Sequence, residues 1–360
     1  MVQSGGTRAL DAVLKKIMYV SRARGRVDTA IVHEGNPAML TVYAATGAKL
    51  VRQAEVAAGK DGCFWFDLLN PTAEEDLQVE KILGISVPTR AEAREIEASS
   101  RFYNEGGATY ITSFIVHNGQ NGPPESSTLT FILFGNRLVT VRYADFKVFP
   151  DYLARVEQGD APAGTAAAIL IGLFESVIQG EADLIERLQD EVEKMAKGIF
   201  DVQTRGDRNK RLEFLLTMIG KEGDIVARIQ ESTTSIDRSL HFLETAAHDQ
   251  GCDAKISARI HGAQRDNASL AEHLRSLSNR VSFLLDATLG MITTEQNQII
   301  KLFSVMAVML MPPTLVASIY GMNFRHMPEL EWDYGYPLAL ALMLLAAVIP
   351  FVYFKRKGWL

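Results

Sequence analysis

Polar side chains recur near the carboxyl terminus, in a stretch with no charged residue between Lys301 and Arg325. Steps of three and four residues keep to one helix face, and they connect Asn297, Ile300, Ser304, Ala307, Met311, Thr314, Ser318 and Gly321. We call this set the 297–321 row. Its ends are polar, and its middle, with the nearby Phe303, is apolar. Such a row predicts either a water-filled path whose apolar neck gates by dewetting or a packing seam between helices, and periodicity does not separate the two.

Two uncharged runs, 302–320 and 336–354, lie at this end of the chain. Each approaches the roughly 20 residues that cross about 30 Å of hydrocarbon as a helix. Two buried helices of a soluble core are the alternative. Aromatic residues that could form belts at headgroup level flank the runs: Tyr320, Trp332, Tyr334, Tyr336, Tyr353, Phe354 and Trp359. These flanks favour two transmembrane helices in a lipid bilayer.

The first run contains Pro312 and Pro313 in its middle, together with three hydroxyl side chains. Proline removes a helix hydrogen bond, and membrane helices tolerate this where neighbouring helices or water satisfy the backbone. We therefore expect the first run to line a path and the plainer second run to face lipid. Helix–helix packing explains the hydroxyls equally well.

A basic cluster, Lys355 to Lys357, adjoins the second run. Because such clusters stay in the cytoplasm, the tail 355–360 is predicted to be cytoplasmic and the loop 321–335 external. That loop carries the acidic residues Glu329 and Glu331. Two spans place both termini on the cytoplasmic side, and the N-terminus lacks the pattern of a signal peptide.

The composition of the chain argues against several classes of function. A net charge of -6 is unlike that of nucleic-acid-binding proteins, which have a basic patch. Cys63 and Cys252 form no Cys-x-x-Cys pair, so neither a thiolate zinc site nor a disulfide framework is predicted, and a reducing compartment fits.

The region before the first run is predicted to be a cytoplasmic head and stalk. We expect an N-terminal lead-in over 1–30, an α/β domain over 31–160, a helical hairpin over 161–250 and a stalk helix over 251–301. Short β-rich runs include CFWFDL, ATYITSFIV, STLTFILF and RLVTVRY, with an earlier strand near 39–44. Helices are predicted at 72–83, where Pro71-Thr72 and the acidic residues after them make a start signal, and at 89–100. The fold class is thus an α+β membrane protein.

No catalytic constellation stands out in this head. It contains no phosphate-binding glycine loop, no Ser/His/Asp set and no paired carboxylates that suggest acid–base chemistry. His33 and His117 are isolated, which is typical of ordinary structural or surface histidines. The chain is therefore not expected to be an enzyme.

Long helices are predicted after residue 161, at 166–200 and 207–247. The first has an acidic face, which we interpret as solvated, with a cation-attracting surface as the alternative: Glu181, Asp183, Glu186, Asp190, Glu191 and Glu193. One further helix is predicted from about Lys255 into the first run. It has a heptad-like seam: Leu270, Leu274, Leu277, Val281 and Leu284. The seam implies packing partners, either other subunits or the preceding helices.

The C-terminal sequence SIYGMNFRHMPELEWDYGYP, followed by YFKRKGWL, resembles the signature of CorA magnesium channels. The resemblance includes EQNQIIKLFSV and MPPTLVAS in the first run and, more weakly, FDLLNP and IEASSRF in the head. It implies a homopentamer in the bacterial inner membrane whose first spans surround a pore for Mg²⁺.

The resemblance also implies roles for individual residues. Gly321, Met322 and Asn323 would form the selectivity filter, and Glu329 and Glu331 would attract cations outside. Asn297, Thr314 and Ser318 would line the pore, with Ile300, Phe303 and Met311 as gate residues. Asp286 would bind a regulatory Mg²⁺ between subunits, with a partner among Glu92, Glu95 and Glu97.

Two alternatives remain at this point. The ZntB branch, whose members are proton-driven zinc transporters, shares the Gly-Met-Asn tripeptide, although residues 324–330 look more like the magnesium branch. A two-span signalling receptor is the alternative from another class, but the predicted external loop is too short for a sensor domain. Co²⁺ and Ni²⁺ could accompany Mg²⁺, because selectivity among hydrated divalent ions is rarely complete.

Overall fold

A computed structural model describes residues 39–47, 49–53, 64–95, 97–118, 122–200, 208–249, 253–322, 327–328 and 332–359. The predicted lead-in and His33 lie outside these residues. Strands β1 to β7 form one mixed sheet in the order β2-β1-β3-β7-β6-β5-β4. Their bounds are Met39–Thr46, Lys49–Gln53, Phe64–Leu69, Phe102–Glu105, Ala108–Asn118, Pro124–Phe134 and Arg137–Arg142. Strands β3 and β7 pair in parallel, and the other neighbours pair antiparallel.

The helices of the head are α1 (Ala73–Leu83), α2 (Arg90–Ala93), α3 (Ala98–Arg101) and α4 (Val148–Gln158). The start of α1 is confirmed, since Thr72 and Glu75 form a reciprocal capping box. The single helix predicted over 89–100 is wrong: the chain forms two four-residue helices there. Only Ala93 of α2 is buried, so a longer helix would have no apolar face to pack against the core.

Alternate residues of the central strands face opposite sides of the sheet. Trp65, Ile111, Phe131 and Leu138 belong to one core, which includes residues of α4 and of the long helices. Phe66, Tyr110, Ile132 and Val139 belong to the other, which is completed by Val79 and Leu83 of α1. The sheet is therefore the middle layer between two helical layers.

Two long helices follow, α5 (Ala166–Phe200) and α6 (Arg208–Asp249). Serines of α6 hold the sheet, because β4 is short and leaves part of β5 without a neighbouring strand on that side. The Phe114 amide donates to the Ser235 hydroxyl at 2.9 Å, and the Val116 amide donates to the Ser232 hydroxyl at 3.3 Å. The unpaired edge that a strand would otherwise expose is thus satisfied by side chains.

Helix α7 (Ala254–Tyr320) is continuous over 67 residues, and α8 (Gly335–Arg356) follows it. The single helix predicted from the stalk into the first span is therefore confirmed. The heptad-like seam packs against α5 and α6 of the same chain, because Leu274, Leu277, Val281 and Leu284 share a core with residues of those helices. Of the two partners that the sequence allowed, the preceding helices are the ones found.

Candidate ion pathway

One face of the apolar end of α7 is covered by α8. Val305 is buried there, and the residues that continue its face toward the helix end are partly buried: Met309, Pro312, Val316 and Tyr320. Ala339 of α8 is buried in turn. Steps of four and three residues join this set, so α8 covers a single stripe of α7.

The 297–321 row lies about half a turn around the helix from that stripe, since successive residues are rotated by about 100°. All of its members are exposed within the single chain. The predicted gate residues are strongly exposed, with Ile300 at 61%, the nearby Phe303 at 65% and Met311 at 69%. The face predicted to line a path is thus part of the surface that the chain's own second apolar helix leaves uncovered.

Hydroxyl groups on this face have a common geometry. Ser304 donates to the Ile300 carbonyl at 2.8 Å, Thr314 donates to the Leu310 carbonyl at 2.7 Å, and Ser318 donates to the Thr314 carbonyl at 2.8 Å. Because each hydroxyl proton is engaged on its own helix, the oxygen lone pairs remain available as acceptors. Such oxygens suit the water ligands of a hydrated cation, which donate hydrogen bonds.

Pro312 and Pro313 lie inside the continuous helix. Because proline has no N–H, the carbonyl groups four residues earlier, those of Val308 and Met309, receive no helix hydrogen bond from them. Membrane helices accommodate this through neighbouring helices or water. The two prolines follow Met311 in the sequence, so this interruption lies at the level of the apolar neck, although Pro312 itself is on the stripe beneath α8.

The predicted mouth is described in part. Gly321 ends α7, and its amide donates to the Ala317 carbonyl at 2.9 Å. A Cβ at Gly321 would lie 3.1 Å from that carbonyl oxygen, so the backbone allows little space for a side chain. Met322 is 47% exposed. Asn323, Glu329 and Glu331 lie outside the described residues.

The ends of the two apolar helices meet at a basic cluster. The Lys301 ammonium lies 5.9 Å from the centre of the Trp359 ring, and the Lys357 ammonium also lies 5.9 Å from it. Lys355 is near Phe351 at the same end of α8. The sequence reasoning missed this contact between Lys301 and the tail, although the position of both at the charged ends of the apolar runs was a signal for it.

Asp286, predicted to bind a regulatory ion, is exposed on α7 and away from the buried seam. It has no hydrogen bond or ion pair within the part of the chain that the structure describes. Of its proposed partners, Glu92 accepts the Thr89 amide at 2.9 Å as a helix cap, whereas Glu95 and Glu97 are exposed. The single chain therefore leaves the Asp286 carboxylate available to a ligand.

Comparisons with known proteins decide the family. The model of the family described as "CorA-like Mg2+ transporter protein" matches residues 60–356. Over 323 residues the chain is 36% identical to the magnesium transport protein CorA of Escherichia coli K12, covering 89% of this chain and 100% of that protein. The chain belongs to the CorA family. The CorA protein of Salmonella typhimurium is similar to the same extent.

Solved structures confirm the fold class. The complete CorA structure from Methanocaldococcus jannaschii matches with a TM-score of 0.74 and 18% identity, covering 91% of this chain and 100% of that one. The ZntB cytoplasmic domain from Vibrio parahaemolyticus matches more weakly, with a TM-score of 0.53 and 10% identity over 72% of this chain and 98% of that one. At these identities both matches show the fold alone.

Two apolar helices of the described chain are long enough to cross a membrane, α8 and the end of α7, and only 6% of each apolar stretch is buried within the chain. This exposure contradicts the alternative of a soluble core, whose helices would be buried. In a CorA family member these are the two transmembrane helices.

Proposed function

We propose that the chain forms a homopentameric channel in the bacterial inner membrane through which Mg²⁺ enters the cytoplasm. The observation that carries this proposal is the 297–321 row, which lies exposed on the face of α7 opposite α8. Copies arranged around an axis would bring these faces together and leave α8 toward lipid. Membership of the CorA family and the magnesium transport stated for its relatives support the ion.

The chemistry of the row suits a hydrated ion. Mg²⁺ gives up its water reluctantly and usually keeps several water ligands. Five copies of Thr314 and Ser318 would offer acceptor oxygens to those waters, and five Asn323 amides would do the same at the filter formed with Gly321 and Met322. Asn297 would line the inner end.

The apolar neck supplies the gate. Rings of Ile300, Phe303 and Met311 would surround a path too apolar to stay wet when narrow. A small widening would admit water and the hydrated ion with it. We assign the closed state to the dry neck.

The orientation follows from charge. The basic cluster around Lys301 and Lys355 to Lys357 is expected on the cytoplasmic side, which places both termini there and the 321–335 loop outside. Glu329 and Glu331, repeated fivefold, would concentrate cations at the entrance. A membrane potential that is negative inside contributes about 4.6 kcal/mol per 100 mV for a divalent ion.

Regulation would come from Asp286. Its exposed carboxylate, repeated in each subunit, would bind cytosolic Mg²⁺ between subunits together with an acidic residue of the head. The bound ion would favour a closed pentamer, and its loss at low Mg²⁺ would release the gate. Co²⁺ and Ni²⁺ would pass as hydrated ions of the same charge.

Ion flux into proteoliposomes under a negative internal potential tests this proposal. We expect Mg²⁺ entry through the wild-type chain and strongly reduced entry through Asn323→Ala. The control is Leu344→Ala, a change on α8 at a residue that is 67% exposed. Wild-type protein without Mg²⁺ flux would contradict the channel, and Zn²⁺ flux that requires a proton gradient would indicate ZntB-type transport instead.

A further inference from the structure

Glu181 of α5 is buried, although its place in an acidic helix had predicted a solvated face. Only 3% of the residue is exposed. The neighbouring sequence explains the burial, because Val177, Ile178, Leu184 and Ile185 are buried on the same helical stripe. A carboxyl group at an apolar position of a helix is the signal that could have identified it.

The hydrogen-bond partners of Glu181 are hydroxyl groups of α6. Ser232 donates to Oε1, and the Thr233 hydroxyl oxygen lies 3.2 Å from Oε2. No basic side chain makes an ion pair or hydrogen bond with this carboxyl group within the described part of the chain. A buried carboxylate without a cation is costly, and such groups usually take up a proton instead.

The protons of this network can be followed one by one. The Thr233 hydroxyl has a single proton, and the Ile229 carbonyl oxygen accepts it at 2.7 Å, which is closer than Glu181. The 3.2 Å contact with Glu181 is therefore satisfied best when Oε2 carries a proton and donates it to the Thr233 oxygen. The Ser232 hydroxyl accepts a hydrogen bond from the Val116 amide and donates its own hydrogen bond to Oε1. With a neutral Glu181 every member of the chain of hydrogen bonds has a donor and an acceptor.

The network connects three long helices and the sheet. Val116 belongs to β5, Glu181 to α5, and Ser232 and Thr233 to α6. The Thr233 carbonyl accepts a hydrogen bond from the buried Asn267 side chain of α7 at 3.0 Å. The site therefore lies where the sheet and the hairpin hold the helix that continues into the membrane.

A cavity of about 100 Å³ is lined in part by Glu181, and water inside it would exchange protons with the carboxyl group. Its titratable and charged lining residues come from the elements around it: His117 of β5, Lys147 before α4, Asp151 of α4, and Asp183 and Arg187 of α5. The residues that α6 and α7 bring to the network, Ser232, Thr233 and Asn267, are neutral. Burial raises the pKa of Glu181 to about 7, although the hydrogen bond donated by Ser232 lowers it in part.

We propose that Glu181 is a proton-binding site that holds α5, α6 and α7 together when protonated and weakens their contact when ionised. Loss of the proton from Oε2 to water leaves a carboxylate that needs the Thr233 hydroxyl as a donor. The Thr233 hydroxyl must then rotate away from the Ile229 carbonyl. The backbone carbonyl of the same residue is the group that accepts the hydrogen bond of Asn267. The inference concerns the cytoplasmic helices and does not depend on ion passage.

The sign of the pH effect follows from linkage. Glu181 binds its proton more tightly in the folded chain, where its pKa is about 7, than at its ordinary value of 4.5. Its contribution to stability is therefore fully present below pH 4.5 and is lost as the pH rises toward 7. Above that range the loss is complete and constant.

Thermal unfolding of the full-length chain in detergent, measured from pH 4.5 to 8.5, tests the proposal. Glu181→Gln keeps the shape and supplies a permanent N–H donor to Thr233, so its Tm should lack the part of the pH dependence due to Glu181. The difference in Tm, variant minus wild type, should grow up to about pH 7 and then level off. Glu186→Gln, which removes an exposed carboxylate from the same helix, should follow the wild type. Parallel profiles for Glu181→Gln and the wild type would overturn the proposal.

Infrared spectroscopy gives a second measurement. The carbonyl band of a protonated carboxyl group should be present at pH 6, titrate near pH 7, and be lost in Glu181→Gln. Burial also raises the pKa of Asp76 and Glu222, so these two groups could contribute to the same band. In a variant with both Asp76→Asn and Glu222→Gln, the band that remains is assigned to Glu181. This measurement tests the proposal even if Glu181→Gln does not fold. Absence of that band at pH 6 would contradict the proposal.

Discussion

Helix α7 has two halves with opposite surroundings. In the stalk, from Ala254 to about Gly290, its apolar seam is buried by α5 and α6 of the same chain, and Leu274 is fully buried. In the membrane half, α8 covers one stripe around Val305, and the opposite face is exposed, with Met311 at 69%. One continuous helix thus has its apolar seam buried within the chain in the stalk, whereas most of its apolar surface in the membrane half is left uncovered by the same chain.

The two halves of α7 differ in whether a single chain supplies their packing partners. The stalk half has its packing partners within the chain, so α5 and α6 of the same chain hold it in place. The membrane half presents hydroxyls and large apolar side chains on a face that no other described element covers. Copies of the same face around an axis are the partners that we propose for it.

The greatest loss in the free energy of unfolding is predicted for a substitution in the stalk half of α7. Leu274→Ala removes a fully buried side chain and should cost about 2–5 kcal/mol in the free energy of unfolding, because a cavity remains. Leu289→Ala, at a residue of the same helix that is 45% exposed, should change it by about 0.5 kcal/mol or less. Denaturant unfolding of the full-length protein in detergent measures both. Equal losses for the two variants would mean that the seam is not the packed face.

The membrane half is tested by the access of water to its two faces. In a background with Cys63 and Cys252 replaced by Ser, Ser318→Cys should react with a charged thiol reagent about ten times faster than Val316→Cys, a difference of about 1.4 kcal/mol. The reason is that the first residue lies on the 297–321 row and the second on the stripe beneath α8. Similar modification rates for the two cysteine variants in lipid bilayers would mean that water reaches both faces of the helix equally.

Much of the fold follows from periodicity. The α5 helix has the predicted bounds, Ala166–Phe200, because its apolar stripe is long and regular. Strands β2 and β4 were missed, since they are short and most of β2 is exposed. Helix α4 was also missed, since it is a short helix between the last strand and the long helices; Pro150 lies in its first turn, where proline is tolerated.

The candidate ion pathway was also predictable from the sequence only in part. The 297–321 row could be predicted as one helical face because three- and four-residue steps define it on a continuous helix. Which face α8 covers could not be predicted, since α8 is apolar all round and carries no stripe of its own. The contact between Lys301 and Trp359 depends on how the two spans pair, which is tertiary information.

A smaller effect is expected at the neck. Met311→Ser replaces an exposed apolar side chain on the row with a polar one and should raise Mg²⁺ flux severalfold, because a polar neck stays wet when narrow. Val316→Ser makes a change of similar kind on the stripe beneath α8 and should leave the flux near the wild-type level. Flux into proteoliposomes at low internal Mg²⁺ measures both. A larger increase in flux for Val316→Ser than for Met311→Ser would indicate that the ion path runs along the stripe beneath α8 and not along the 297–321 row.

The smallest effect on the fold is expected at Asp286. Its carboxylate is exposed and has no partner in the described chain, so Asp286→Asn should change the free energy of unfolding by about 0.5 kcal/mol or less. The internal Mg²⁺ concentration that halves the flux should nevertheless rise severalfold, because an amide binds Mg²⁺ more weakly than a carboxylate. Asp266→Asn, also exposed on α7, is the control and should keep the wild-type value. If Asp286→Asn is inhibited at the same Mg²⁺ concentration as the wild type, regulation does not act through this residue, and the stalk half must transmit a signal from elsewhere in the head.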